Sequence, residues 1–140
     1  MDNKSNLVLL LYLFCFLSPI LPDWIQKGKV IEVLSGDTFI HYGYQDKKKQ
    51  KYKLVCVEAE SPRTKKGKYQ RKILTRKIKG KEIEGILRGK LKEYFLADVF
   101  DIEKTKENGH YTSLAFTLAV HSKVLKKIKE YPECWPEDYK

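Results

Sequence analysis

The sequence predicts a mainly β fold with helices, an α+β protein. Its outline is a small five-stranded barrel with a helix after strand 3 and helices at the C-terminal end. Three observations predict it. Three runs rich in β-branched and aromatic residues lie before residue 60, parted by turn-forming residues. A helical, amphipathic pattern follows over residues 69–79. Two further extended runs then meet across a tight turn. The chain has 140 residues, room for one domain of ordinary size. Its 42% hydrophobic content supplies a core and excludes a wholly disordered chain. With 33% charged residues and a mean hydropathy of −0.50, it is no polytopic membrane protein.

Residues 1–22 stand apart from the predicted domain. Leu7 to Leu17 reads as eleven apolar residues without a break, with Lys4 before it and Ser18-Pro19 after it. A charged start, about 7–15 apolar residues and a helix breaker is the layout of a secretory signal. The run falls short of the roughly 20 residues of a spanning helix. No small-x-small cleavage pattern follows Leu17. Two outcomes therefore stay open, a cleaved signal peptide or an uncleaved signal anchor that tethers the chain to a membrane through residues 7–22. Residues 23–140 are the expected domain, a secreted or otherwise extracytoplasmic monomer.

Lys29 to Leu34 and Thr38 to Tyr42 read as strands joined by the turn Ser35-Gly36-Asp37. A Lys-rich loop leads to a third strand, Tyr52 to Val57. From Tyr69 to Lys79, residues Tyr69, Ile73, Leu74 and Ile78 share one half of a helix. Arg71, Lys72, Thr75, Arg76 and Lys79 take the other half, and Gly80 is a natural stop. Ile83 to Arg88 and Leu91 to Asp101 read as strands around a turn at Gly89-Lys90. Glu103 to Gly109 reads as a polar loop. Tyr111 to Val120 and Ser122 to Tyr131 read as a helix pair, and Trp135 as a residue that packs back on the core. Five such strands with a helix closing one end describe the oligonucleotide-binding (OB) fold.

Cys56 and Cys134 remain after the leader. Outside the cytoplasm they can form one disulfide; alternatively Cys56, in a strand-like run, is a small buried hydrophobe. Their spacing does not suggest a metal site.

Charge is concentrated. The chain carries 28 Lys+Arg against 18 Asp+Glu, net +10. Thirteen of the basic residues fall between Arg63 and Lys92, opposed by Glu82 and Glu84 alone, which makes that stretch +11. A basic patch of this density favours a polyanion, DNA or RNA, with an anionic membrane face as a lesser alternative.

The stretch Val30-Ile31-Glu32-Val33-Leu34-Ser35-Gly36-Asp37-Thr38 resembles the opening of the staphylococcal-nuclease-like (thermonuclease) family: strand, Gly-Asp-Thr turn, strand. Tyr52 to Glu58 looks like its third strand, Gly67 to Lys81 like its first helix, and Phe95 to Phe100 like a later strand. The resemblance covers roughly residues 28–130 in order and spacing. It implies an OB barrel with a Ca²⁺-dependent phosphodiesterase activity on DNA and RNA.

Carried over residue by residue, the resemblance implies Asp37 as the first metal carboxylate, unchanged. Glu58 takes the second metal position, one methylene longer than the usual Asp. The general-base position falls on Ser61, which cannot accept a proton at neutral pH, and Glu60 beside it is the substitute. Lys53 replaces the first catalytic arginine, keeping the charge and losing the planar fork. Tyr94 replaces the second, and Lys92, two residues back on the expected strand, is the displaced cation. Arg63, Lys68, Arg71, Lys72, Arg76 and Tyr94 are the expected nucleic-acid contacts. Losing one transition-state cation costs about 2.7–4 kcal/mol, roughly 10²–10³ in rate. Two expectations follow: metal-dependent hydrolysis with a modified site, or a catalytically weak or inactive barrel that binds nucleic acid.

Overall fold

The computed structural model describes residues 25–130 and 134–135. The apolar run 7–17 and the rest of the predicted leader lie outside the described residues. Among the described residues no helix is long and apolar enough to cross a membrane.

Among the described residues seven strands and three helices follow one another. They are β1 (Ile25–Val33), β2 (Thr38–Gly43), β3 (Lys49–Leu54), β4 (Val57–Glu58), α1 (Lys65–Ile78), β5 (Glu82–Lys90), β6 (Phe95–Val99), α2 (Ile102–Asn108), α3 (Leu114–Phe116) and β7 (Lys126–Lys127). A five-residue π turn, Thr117–His121, continues α3. Five strands close a barrel in the order β1-β2-β3-β6-β5, with β5 returning to β1. All pairs are antiparallel except β3 with β6. This is an OB-like barrel with α1 between its third and fourth strands, as the sequence predicts.

Alternation fills the interior. Along β2 and β3 the inward residues are Phe39, His41, Tyr52 and Leu54, all buried. β1 adds Val30 and Val33 across a bulge at Ile31. Leu74 and Ile78 of α1 belong to the same core. Thr64 caps α1, its hydroxyl oxygen accepting from Gly67 N at 3.0 Å. A Cβ on Gly67 would land on the Ser61 carbonyl, so the first turn of α1 packs directly on the loop before it.

Four local expectations are corrected. The buried row of α1 is Gly67, Gln70, Leu74 and Ile78, and Tyr69 is 56% exposed. Gln70 is tolerated inside because both ends of its amide are bonded: Oε1 accepts from Glu60 N at 2.8 Å and Nε2 donates to the Val124 carbonyl at 2.8 Å. β5 runs on to Lys90, paired with Phe95. The reversal is therefore Leu91 to Tyr94, closed by Leu91 N donating to Tyr94 O at 2.8 Å. The stretch read as a polar loop is α2, begun by the Asp101 cap on Lys104 N and ended by Gly109 at φ 73°. Of the predicted helix pair, the first is α3 with its π turn. The second is absent among the described residues 122–130: Val124 N and Leu125 N both donate to the Leu118 carbonyl, and the chain then extends into β7.

The third strand also ends early. Cys56 adopts φ 65°, turning the chain between β3 and β4. Cys56 and Cys134 form a disulfide, Cα atoms 5.3 Å apart. Trp135 is buried, as expected, and its indole N–H donates to the Ile128 carbonyl at 2.9 Å.

Candidate phosphate and nucleic-acid site

The β1–β2 turn is drawn tight by Leu34 N and Ser35 N, both donating to the Thr38 carbonyl. Gly36 sits in it for want of space: a Cβ there would stand 2.6 Å from Gln70 Cβ of α1. The turn thus lies under the first half of α1. It delivers Asp37 to a site where the residue is 5% exposed and both carboxylate oxygens accept hydrogen bonds. Oδ1 accepts from Ser35 Oγ at 2.8 Å and Thr38 Oγ1 at 2.9 Å, and Oδ2 accepts from Ala59 N at 3.0 Å. The Asp37 carbonyl accepts from Leu54 N, so the same residue also pins the end of β3.

Lys53 points outward because Tyr52 and Leu54 on either side of it point in. Its ammonium stands between two carboxylates, 4.0 Å from Asp37 Oδ2 and 3.9 Å from Glu130 Oε1. Across the parallel pairing it lies beside Leu96. Tyr94 and Lys92 precede β6, in the reversal, so Lys92 does not share a strand face with Tyr94. Glu58 is exposed on β4, opposite Lys126. Glu60 is exposed too and pairs with Lys66 at 3.2 Å. Glu58, Ala59, Glu60, Lys66, Gln70 and Lys126 line a cleft of about 410 Å³, joined to Asp37 through Ala59.

No sequence pattern points to Glu130, which falls in the stretch read as helix. Nor did it single out the outer face of β6. There Ser113 Oγ donates to Asp98 Oδ1 at 2.9 Å, and Arg88 lies 3.9 Å from Oδ2. Burial pushes the Asp98 carboxyl above its usual range, against the opposing pull of the Ser113 hydrogen bond and the Arg88 charge.

α1 carries the basic residues in an ordered way. Arg71 is partly committed, its Nε donating to the Val33 carbonyl at 3.0 Å. Lys66 and Lys77 pair with Glu60 and Asp101. Lys65, Lys68, Lys72, Arg76 and the following Lys79 are exposed and have no carboxylate within ion-pair distance among the described residues. At 100° per residue these five fall within about 80° of arc, opposite the buried row. The stripe is about 21 Å long at 1.5 Å per residue. Tyr69 flanks it, and Arg63 is exposed in the loop ahead of the helix.

A hard cation of the calcium class takes six to eight oxygens. The described residues hold no group of three or more His, Cys, Asp or Glu side chains placed for a metal ion. On Asp37, Oδ1 already receives two hydrogen bonds, and Lys53 faces what remains of Oδ2. A calcium ion on Asp37 would therefore have to displace Lys53 and take most of its oxygens from water and a bound phosphate.

No protein-family model matches the chain, and no curated protein matches it.

Proposed function

We propose that this chain acts on nucleic acid through the phosphodiester backbone, as a thermonuclease-like barrel. The α1 stripe gathers the polyanion, and Lys53 meets a phosphate beside Asp37. The observation that carries this reading is the stripe of five exposed cations on α1, a helix whose opposite, buried face packs at Gln70 on the Asp37 turn. Solvated charge of one sign, spaced along one helix face, raises the local concentration of polyanion and binds it with little sequence preference.

Six contacts, the stripe plus Lys53, give a slope of log K against log [salt] of about −5.4 on duplex DNA. Affinity then falls about 10³-fold between 50 and 200 mM salt. Charge reversal at Lys68, Lys72 and Arg76 together weakens every sequence alike and flattens that slope. Binding that does not respond to salt, or to this triple variant, rejects the reading. Arg71 is left out of the variant because its loss also removes the Val33 contact.

A second reading is metal-dependent hydrolysis of the bound phosphodiester in an extracytoplasmic setting. It is supported by a buried Asp37 hydrogen-bonded to the residue that follows Glu58. A hard cation such as Ca²⁺ would need Lys53 drawn off Asp37, with water and substrate phosphate filling most of its shell. Cleavage that requires Ca²⁺, is lost in Asp37→Ala and persists in Glu60→Gln would establish this reading with Glu60 as a bystander.

A further inference from the structure

The chain after the π turn is tied across the Lys53 site. β7 pairs with β4. Ile128 N donates to the Cys56 carbonyl at 3.0 Å, and Cys56 N donates to Glu130 Oε1 at 3.1 Å. Cys134 is covalently joined to Cys56, and buried Trp135 bonds back to Ile128. Three of these ties converge on Cys56, three residues beyond Lys53. Their joint effect is to hold the Glu130 carboxylate 3.9 Å from the Lys53 ammonium, on a lysine that is only 17% exposed. A carboxylate there offers the same charge and the same acceptor oxygens as a phosphodiester.

From this geometry we propose that residues 126–130, anchored by Cys134 and Trp135, form an inhibitory strap, with Glu130 occupying the phosphate position at Lys53 and the Cys56–Cys134 disulfide holding it there. The proposal rests on the reading of Lys53 as a phosphate-binding residue. Release is a two-electron step. A dithiol reductant gives up two electrons and two protons, the Cys56–Cys134 bond becomes two thiols, and the dithiol becomes a cyclic disulfide. The strap then keeps the short β4–β7 pairing, its single hydrogen bonds and the packing of buried Trp135, whose ring lies 6.4 Å from that of Phe116, but no covalent tie. A closed state that leaves about 1–10% of molecules open lowers apparent affinity about 10- to 100-fold.

The test uses the full chain with a ten-nucleotide single-stranded DNA as probe, in the oxidised form, after dithiothreitol, and as oxidised Glu130→Ala. Amide hydrogen exchange at Ile128 reads strap opening independently of binding. Expected results are at least tenfold tighter binding for Glu130→Ala and for the reduced chain, and faster Ile128 exchange on reduction. Adding Lys53→Ala should abolish the gain in both. Unchanged Ile128 exchange on reduction overturns the strap. Binding within twofold across all three forms, while Lys53→Ala still weakens it, overturns the strap and leaves the phosphate site standing. Binding indifferent to Lys53→Ala in every form overturns the site reading and the strap with it. Oxidised Glu130→Ala keeps the disulfide, so the test does not depend on the reduced chain staying folded.

Discussion

His41 makes the stability of this barrel sensitive to acid. It points into the barrel from β2, is 1% exposed, and stacks on Tyr52 with ring centroids 4.7 Å apart. Neither ring nitrogen has a hydrogen-bond partner among the described residues. Gly28 of β1 presses on it, for a Cβ there would lie 2.6 Å from His41 Nε2. Burial without a partner disfavours the imidazolium, and the His41 pKa falls from 6.5 to about 4, against a weak opposing pull from Asp46. The folded pKa lies below the unfolded one, so between about pH 4 and 6.5 the unfolded chain binds more protons. The His41 contribution is therefore complete above about pH 6.5 and is lost progressively as pH falls toward 4. At pH 4.5 the loss is about 2.5 kcal/mol, at 1.36 kcal/mol per tenfold change in proton affinity. On a domain of this size that lowers Tm by roughly 10 °C.

The assay is urea unfolding at pH 7.5 and pH 4.5 of the wild-type chain and His41→Leu. Carboxylates titrate in both proteins and cancel in the comparison. Leu keeps the apolar volume and removes two unsatisfied nitrogens, so at pH 7.5 the variant should match the wild type or exceed it slightly. Between the two pH values the wild type should lose about 2.5 kcal/mol more than the variant. Equal losses would mean that the ring is solvated or partnered in solution and would refute the reasoning.

Other outcomes can be stated briefly. Gly67→Ala forces α1 off the Ser61 carbonyl and should cost about 1–3 kcal/mol in thermal or urea unfolding, whereas Gly80→Ala acts through φ 74° alone and meets no atom. Opening the Cys56–Cys134 cross-link, which spans 78 residues of sequence, should lower stability by about 2–4 kcal/mol in matched oxidised and reduced unfolding curves. Tyr69→Ala should weaken single-stranded DNA by about 1–3 kcal/mol, the size of one base stack, while leaving the salt slope unchanged in a fluorescence titration. An identical loss on duplex DNA would show that Tyr69 acts otherwise than by stacking.

The barrel was legible because strands and turns announce themselves locally. Alternation in Thr38 to Tyr42, the Gly-Asp-Thr turn and the β-branched run before it each depend on neighbours a few residues away. What escaped the sequence depends on distant partners. Gln70 looks like a surface residue until its amide meets Glu60 N and Val124 O, and Tyr69 then faces solvent. Ser122 to Tyr131 has helical composition, yet pairing with β4 draws Lys126 and Lys127 into a strand and the Ile128 amide bonds to the Cys56 carbonyl. The strand ends near Lys90 could not be placed because the bulge between Leu87 and Gly89 shifts the register. At the site, Asp37 and Lys53 stood out by type and position. Their proximity at 4.0 Å, and the arrival of Glu130 beside them, are consequences of closure that no local pattern records.

α1 links the core to the charged surface in one rigid step. Residues 67, 70, 74 and 78 are spaced to bury one face, and the same spacing turns residues 65, 68, 72, 76 and 79 to the opposite side. The helix cannot slide or rotate without cost: Gly67 fixes its contact with the Ser61 loop, Gly36 fixes its distance from the Asp37 turn, and Gln70 ties both to the Val124 carbonyl. A shift of α1 would therefore move the cation stripe and the Asp37–Lys53 pair together. Gln70→Leu separates packing from positioning. It fills the same buried space but leaves Glu60 N and the Val124 carbonyl unpaired, at about 1–3 kcal/mol for each group left without water. It should loosen the cleft between β4 and α1 and raise amide exchange at Glu60, with the stripe's charge unchanged. Retention of wild-type salt slope with weaker Lys53-dependent binding would show that Gln70 sets the alignment of the two cation groups. Loss of both together would mean that the helix itself has come away.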